Sequence, residues 1–346
     1  MRGDRGEGEE REAMAKNFNE WMQPLNELEE GIRRLEVARD REPDPLKKAD
    51  LTNSIDEFKR RRDKFLDVMY ARLGPWEKVL VARAPKRPYS LDYINTIFDD
   101  FVELEGDRRY GADHAIVGGC ASLDGRPCMV VGHQKGRNIQ ERQYRNFGMA
   151  KPEGYRKAIR LFEMADRFGL PVITFIDTPA ADPGVDSESR GISEAIAASM
   201  LKMFEIGVPS ISVVIGEGGS GGAIGIGCAS RVLMLEHAIY SVIPPEGCAA
   251  ILWRMPERGP DAARALELTA ENALEFGLID EILTEPNGGS DRQPIEAAGL
   301  VKTGIVKHLD ELSKLSREEI GKQRYEKFRR MGVCQTSSGG QDSSDG

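Results

Sequence analysis

The sequence predicts an α/β protein of parallel strands and crossover helices, preceded by a helical hairpin. Two observations carry this. The apolar runs 172–176, 211–215 and 239–243 each open into a Gly- or Pro-rich loop and then a helical pattern, as parallel strands with right-handed crossovers do. Upstream, Phe18, Trp21, Leu25, Leu28, Ile32 and Leu35 recur at steps of three and four, an apolar helix seam.

In chain order, residues 1–15 form an acidic stretch expected to be an unstructured leader. Residues 16–80 hold the hairpin. Pro43 and Pro45 break its first helix, and a second segment places Leu51, Ile55, Phe58, Phe65 and Met69 on one face, interrupted by Arg62, before stopping at Leu73-Gly74-Pro75. Its seam closes internally or against another subunit, a structural role. Residues 81–332 form the α/β domain. The turn Asp124-Gly125-Arg126-Pro127 before Val130-Val131-Gly132 indicates paired strands. An amphipathic helix (Tyr155, Ile159, Phe162, Phe168) ends at Gly169-Leu170-Pro171 and feeds the first parallel strand, which opens into residues 177–184. A second helix (Ile192, Ile196, Met200, Met203) ends at Gly207-Val208-Pro209 and feeds the next strand, which opens into residues 216–222. The run 239–243 passes through Pro244-Pro245-Glu246-Gly247 into a helix containing Ile251-Leu252-Trp253. Residues 333–346 are polar and expected to be an unstructured tail. Ligands of such sheets sit beyond the carboxyl ends of the strands, which places the active site among these loops.

Lys and Arg total 48 against 57 Asp and Glu, a formal charge of −9. That excludes a general nucleic-acid or anionic-membrane binder, which needs a basic surface. The five cysteines form no C-x-x-C pair and the four histidines are scattered, against a metal site in this chain. The start of the chain lacks the apolar core of a signal peptide, and no apolar stretch approaches the roughly 20 residues of a membrane span. A cytoplasmic location is expected.

The stretch 216–227 admits three chemical readings. Gly216-x-Gly218-x-x-Gly221 fits a dinucleotide fingerprint, with Glu236 near the position of a ribose-binding acid. Yet two α/β units precede it, and that fingerprint belongs to a first strand. Gly218-Gly219-Ser220-Gly221-Gly222 fits a hydrolase nucleophile elbow, with Asp280 and His308 following in triad order. His308, however, lies in a charged helical pattern and reads as a solvated surface residue. In the third reading the backbone does the work. Glycines let the chain approach a ligand, and free N–H groups at a helix start form an oxyanion hole without any side chain. A tight turn that needs glycine for packing alone is the structural alternative.

The segments Arg87-Pro88-Tyr89-Ser90-Leu91-Asp92-Tyr93, Gly132-His133-Gln134-Lys135-Gly136, Asn146-Phe147-Gly148-Met149, Pro152-Glu153-Gly154-Tyr155, Gly216-Glu217-Gly218-Gly219-Ser220-Gly221-Gly222 and Pro245-Glu246-Gly247-Cys248 together resemble the alpha subunits of acetyl-CoA carboxylase carboxyltransferase. The resemblance implies a crotonase-like spiral of β-β-α units, no metal in this chain, a partner beta-type subunit that bears a zinc finger, and an α2β2 assembly. It also implies carboxybiotin on a biotin carboxyl carrier protein as carboxyl donor, no cofactor bound tightly to this chain, and conversion of acetyl-CoA to malonyl-CoA, the first committed step of fatty acid synthesis. By position, the N–H groups of Gly221 and Gly222 would face the biotin ureido oxygen, and Gly218, Gly219, Ser220, Ala180 and Asp182 would line the substrate site. The loop departs from the family pattern: Ala180-Ala181-Asp182-Pro183-Gly184 stands where Gly-Ala-Tyr-Pro-Gly is usual. Ala180 adds a Cβ and Asp182 a carboxylate that would repel an anionic substrate if it faced the site. Carboxylation of another acyl-CoA and a non-catalytic scaffold are the alternatives this loop leaves open, with an acyl-CoA hydratase or isomerase as a rival on the same fold.

Overall fold

The computed structural model describes residues 4–332, with side chains from residue 22 onward. Helices α1 (Asp4–Arg41) and α2 (Pro45–Tyr70) form the expected hairpin. Asp44 caps α2 by accepting from the Leu46 amide at 2.9 Å, and Pro45 fills its first turn. Helix α1 begins at Asp4, within the stretch expected to be an unstructured leader. Glutamate is a strong helix former, so an acidic stretch of this composition can continue the helix. Met1 to Gly3 and the expected tail 333–346 lie outside the described residues, as do the seam side chains of Phe18 and Trp21.

The seam closes internally. Leu25, Ile32, Ile55 and Leu66 are buried, and Leu66 packs with Met22 and Leu25. Phe65, expected in the seam, is 38% exposed, whereas Leu66 is 5% exposed and takes its place. A helix with 3.6 residues per turn carries the stripe from 62 to 66, one residue beyond the strict heptad. The hairpin docks on the body where the Asn287 amide donates to Asp67 at 2.5 Å and Tyr70 meets the edge of His237 at 5.3 Å.

Helices α3 (Pro75–Ala82) and α4 (Ser90–Ile97) lead into the body. Strands β1 (Asp99–Glu103), β2 (Ile116–Leu123) and β3 (Arg126–His133) are antiparallel neighbours. The β2–β3 turn holds Asp124 and Gly125 at φ 50° and 79°, the left-handed pair a two-residue hairpin requires. Then β4 (Val172–Thr178), β5 (Ser210–Gly219), β6 (Arg231–Leu235) and β8 (Glu281–Leu283) continue the sheet in parallel. The run 239–243 is not the third parallel strand of the main path. It supplies only β7 (Ile239–Ser241), which pairs with the end of β5, while β6 takes the neighbouring place. Pro244 and Pro245 cut the run short, and Val232, Leu233, Met234 and Leu235 are buried throughout.

The remaining helices are α5 (Ile139–Tyr144), α6 (Pro152–Phe168), α7 (Val185–Ser189), α8 (Ile192–Glu205), α9 (Ser220–Ile224), α10 (Pro245–Trp253), α11 (Gly259–Ala265), α12 (Ala270–Glu275), α13 (Pro294–Leu312) and α14 (Arg317–Arg329). Helix α6 ends at Gly169, φ 69°, as the sequence predicts. It packs on β2, β3 and α8, while α13 packs on β5, β8 and α4. One apolar cluster joins these helices to the sheet. No helix among the described residues is long and apolar enough to cross a membrane.

Candidate functional site

The carboxyl ends of β4 and β5 lie side by side, Thr178 opposite Gly218. Here two chain segments touch so closely that side chains are excluded. A Cβ on Gly219 would lie 2.0 Å from the Pro179 carbonyl oxygen, and one on Gly222 would lie 2.6 Å from the Ala180 carbonyl carbon. The packing explanation for these glycines therefore holds at both positions. Gly221 differs, because a Cβ there would meet only the Ile196 Cδ1, at 3.4 Å.

Strand β5 turns into α9 through Ser220, whose φ of 48° is left-handed, a conformation sparsely populated for a residue with a side chain. The first N–H groups of a helix have no carbonyl four residues back, and among the described residues neither the Gly221 nor the Gly222 amide donates to a turn, loop or cap acceptor. The other end of α9 is fastened by buried hydroxyls. Ser199 donates to the Gly225 carbonyl at 2.6 Å, and Thr174 and Ser212 lie 2.8 and 3.2 Å from the Ile226 carbonyl. Tyr155 reaches the Gly222 carbonyl at 3.4 Å. Donors from four elements thus fix the direction in which the free amides point. Fixed N–H donors of this kind are chemically able to stabilise a developing oxyanion.

The departing loop proves compatible with its surroundings. Ala180 is not among the residues with positive φ, so its Cβ causes no backbone strain. The Asp182 carboxylate accepts from the Ser187 hydroxyl and from Asn146 at 3.1 Å, and its amide donates to Ala150 at 3.0 Å. These partners hold the carboxylate within its own loop.

The hydrolase triad is not assembled. His308 bonds to Glu281 at 2.6 Å and is only 6% exposed, so the surface position expected for it is wrong. Helix α13 lays this face against β8, where Glu281 supplies the partner that makes burial tolerable. Asp280 is held by Lys327 and accepts from the Val232 amide at 2.7 Å. Glu236, the acid of the dinucleotide reading, accepts from the Glu285 amide at 3.2 Å. The described residues contain no group of three or more His, Cys, Asp or Glu positioned to hold a metal ion.

Sequence reasoning missed the charged layer beneath the glycines. Lys135 Nζ lies 2.7 Å from both Asp177 and Glu217, and Arg83 lies 2.6 Å from both Glu217 and Glu246. Burial would lower the Lys135 pKa, but the two carboxylates outweigh it and hold the ammonium above its ordinary range. Burial would likewise raise Glu217, but Arg83 and Lys135 pull its carboxyl down to about 2. Next to them His133 is fully buried, and neither ring nitrogen makes a hydrogen bond among the described residues. Burial, aided by Lys135, pushes its imidazole down to about 3, so it is neutral. The Lys of the Gly132–Gly136 motif was the available signal, since a buried lysine is seldom found without a charged partner.

A family model described as acetyl co-enzyme A carboxylase carboxyltransferase-like matches residues 18–332. Among curated proteins, the chain is 50% identical over 309 residues to the acetyl-coenzyme A carboxylase carboxyl transferase subunit alpha of Fusobacterium nucleatum, covering 89% of this chain and 97% of that one. It is 51% identical over 313 residues to the protein of that name from Geobacter metallireducens, covering 90% and 96%. Among solved structures, transcarboxylase 12S with methylmalonyl-coenzyme A bound superposes with a TM-score of 0.54 at 20% identity, covering 75% of this chain and 46% of that one. A Pseudomonas malonate decarboxylase hetero-tetramer in complex with coenzyme A gives a TM-score of 0.51 at 20% identity, covering 64% and 90%. These two likenesses concern the fold, which is crotonase-like.

Proposed function

The chain belongs to the acetyl co-enzyme A carboxylase carboxyltransferase-like family, and from that membership we infer the reaction its site performs. It is a carboxyltransferase subunit that works with a beta-type partner, moving a carboxyl group from carboxybiotin on a carrier protein to acetyl-CoA and giving malonyl-CoA. Carboxybiotin supplies the carboxyl group as CO2 and leaves negative charge on its ureido oxygen. The free amides of Gly221 and Gly222 at the start of α9 are the observation that supports this role. They donate to that oxygen as its charge grows, in a site where the backbone needs no reorganisation.

The residues present fit an anionic oxygen. The space beside the Gly221 Cα holds only the Ile196 Cδ1, Asp182 is turned to Ser187 and Asn146, and His133 is neutral beside Gly222. Gly218 and Gly219 shape the cleft wall together with Pro179, Ile243 and Pro244, and Ser220 sets the turn that aims the amides. The backbone of Ala180 packs closely on Gly222. A scaffold role gains no support from the loop, because neither of its departures strains the chain or turns a charge into the site.

The test is malonyl-CoA formation from acetyl-CoA and carboxybiotin, by the chain alone and mixed with a beta-type partner. Formation only in the mixture is the expected result. An assembled complex that carboxylates propionyl-CoA but not acetyl-CoA overturns the acyl assignment, and one inert toward both overturns the reaction.

A further inference from the structure

Three segments that meet at the glycine site are fastened to one side chain. Lys135 Nζ lies 2.7 Å from Asp177 at the end of β4 and 2.7 Å from Glu217 near the end of β5. The Glu217 amide donates back to Asp177 at 2.9 Å, and a Cβ on Gly216 would come within 2.4 Å of that carboxylate. The stem of Lys135 passes Gly148 so closely that a Cβ there would lie 2.8 Å from its Cγ.

Gly148 closes an unusual turn. Asn146, Phe147 and Gly148 take φ of 45°, 56° and 80°, three successive left-handed residues, two of which carry side chains. Such a conformation persists only where its surroundings enforce it. Asn146 then bonds to Asp182 at 3.1 Å, and the same loop presses Ala180 and Ala181 against Gly222. Lys135 therefore ties the left-handed turn to both strand ends, and the turn in turn holds the loop that sets the position of Gly222.

Stability alone is a poor reason for such a network. Buried ion pairs often contribute no more than apolar residues of the same volume, whereas geometry at a reacting centre is worth orders of magnitude in rate. We infer that Lys135 is a positioning residue for carboxyl transfer, holding the carboxyl ends of β4 and β5 and the 146–148 turn at the spacing that aims the Gly221 and Gly222 amides. The inference rests on the backbone-amide role proposed above.

Removing Lys135 alone would leave two buried carboxylates facing each other, so the informative variant is charge-balanced. Lys135→Met/Asp177→Asn keeps Glu217 paired with Arg83. In the complex with the beta-type partner it is expected to lower kcat about a hundredfold, with KM for acetyl-CoA changed less than about threefold. The melting temperature stays unchanged, and amide hydrogen exchange accelerates only in residues 146–149, 178–184 and 216–227. Wild-type kcat overturns the inference, and so does a loss of kcat accompanied by a lower melting temperature and faster exchange throughout the chain. Should the double variant fail to assemble, Lys135→Arg decides, because it keeps the charge but changes the reach and shape of the donor. A kcat reduced about tenfold at unchanged melting temperature supports the role, and wild-type kcat overturns it. A wild-type complex without transferase activity refutes the reaction instead, and the exchange comparison on the chain itself still tests Lys135.

Discussion

The two ends of the sheet bury cations in opposite ways. At the carboxyl end, Lys135 and Arg83 are paired with Asp177, Glu217 and Glu246. At the amino end, Arg324 of α14 is fully buried without a carboxylate partner among the described residues. It donates to the carbonyls of Met203, Ile206 and Val208 and to the Ser230 hydroxyl. Burial lowers its pKa to about 10, yet it remains charged at neutral pH. Carbonyls at the end of α8 need donors in any case, so one guanidinium closes that end permanently. The carboxyl end instead carries a network of separable charges around loops that must keep a precise spacing. One arrangement serves stability and the other serves geometry.

Substitutions can break this contrast. Arg324→Met leaves several buried acceptors without a donor and is expected to cost about 3 kcal/mol of stability by urea unfolding. Transfer activity per folded complex should stay within about twofold of wild type, since no contact reaches the glycine site. Loss of activity without loss of stability would erase the distinction between the two ends. Gly222→Ala works in reverse. Its Cβ would lie 2.6 Å from the Ala180 backbone, and displacing that loop is expected to lower kcat about a hundredfold while the melting temperature moves little. Wild-type kcat would show that the spacing is not critical.

A smaller effect comes with pH. His133 is held down to about 3 by burial and Lys135, and Glu217 and Glu285 are each held down to about 2 by their cationic partners despite burial. Below about pH 6.5 for the imidazole, and below about 4.3 for the carboxylates, the unfolded chain binds protons that the folded chain does not. Stability is therefore complete above these values and falls as pH is lowered toward 3 and then 2, by up to about 1.4 kcal/mol per pH unit for each group. Urea midpoints measured from pH 7.5 to 4 check this. His133→Asn should flatten the upper part of the slope, and an unchanged slope would contradict the neutral imidazole.

Much of the body was legible because local chemistry and long-range packing agree there. Asp124-Gly125 specified its hairpin, Gly169 and the following Pro171 marked a helix end and a strand start, and the runs 172–176 and 211–215 are buried strands. Strand β6 was missed because the crossover before it is the five-residue α9 and a glycine turn rather than a full helix. Phe65 was misplaced because a heptad and a true helical turn diverge after two or three turns. In the site, the glycine loop announced itself, but its partners did not. Asp177, Glu217 and Lys135 lie far apart in sequence, and only the sheet order brings them within 2.7 Å. The same is true of Glu281, which turns His308 from an expected surface residue into a buried one.

The central claim is that a backbone N–H, with no side chain, stabilises the charge formed in carboxyl transfer. Gly221 allows a direct test because a Cβ there meets only Ile196 at 3.4 Å and proline is tolerated in the first turn of a helix. Gly221→Ala keeps the amide and Gly221→Pro removes it. In assembled complexes of equal melting temperature, malonyl-CoA formation should fall only a few-fold for the alanine variant and by about 10²–10³ for the proline variant. Equal rates for the two variants would contradict the account.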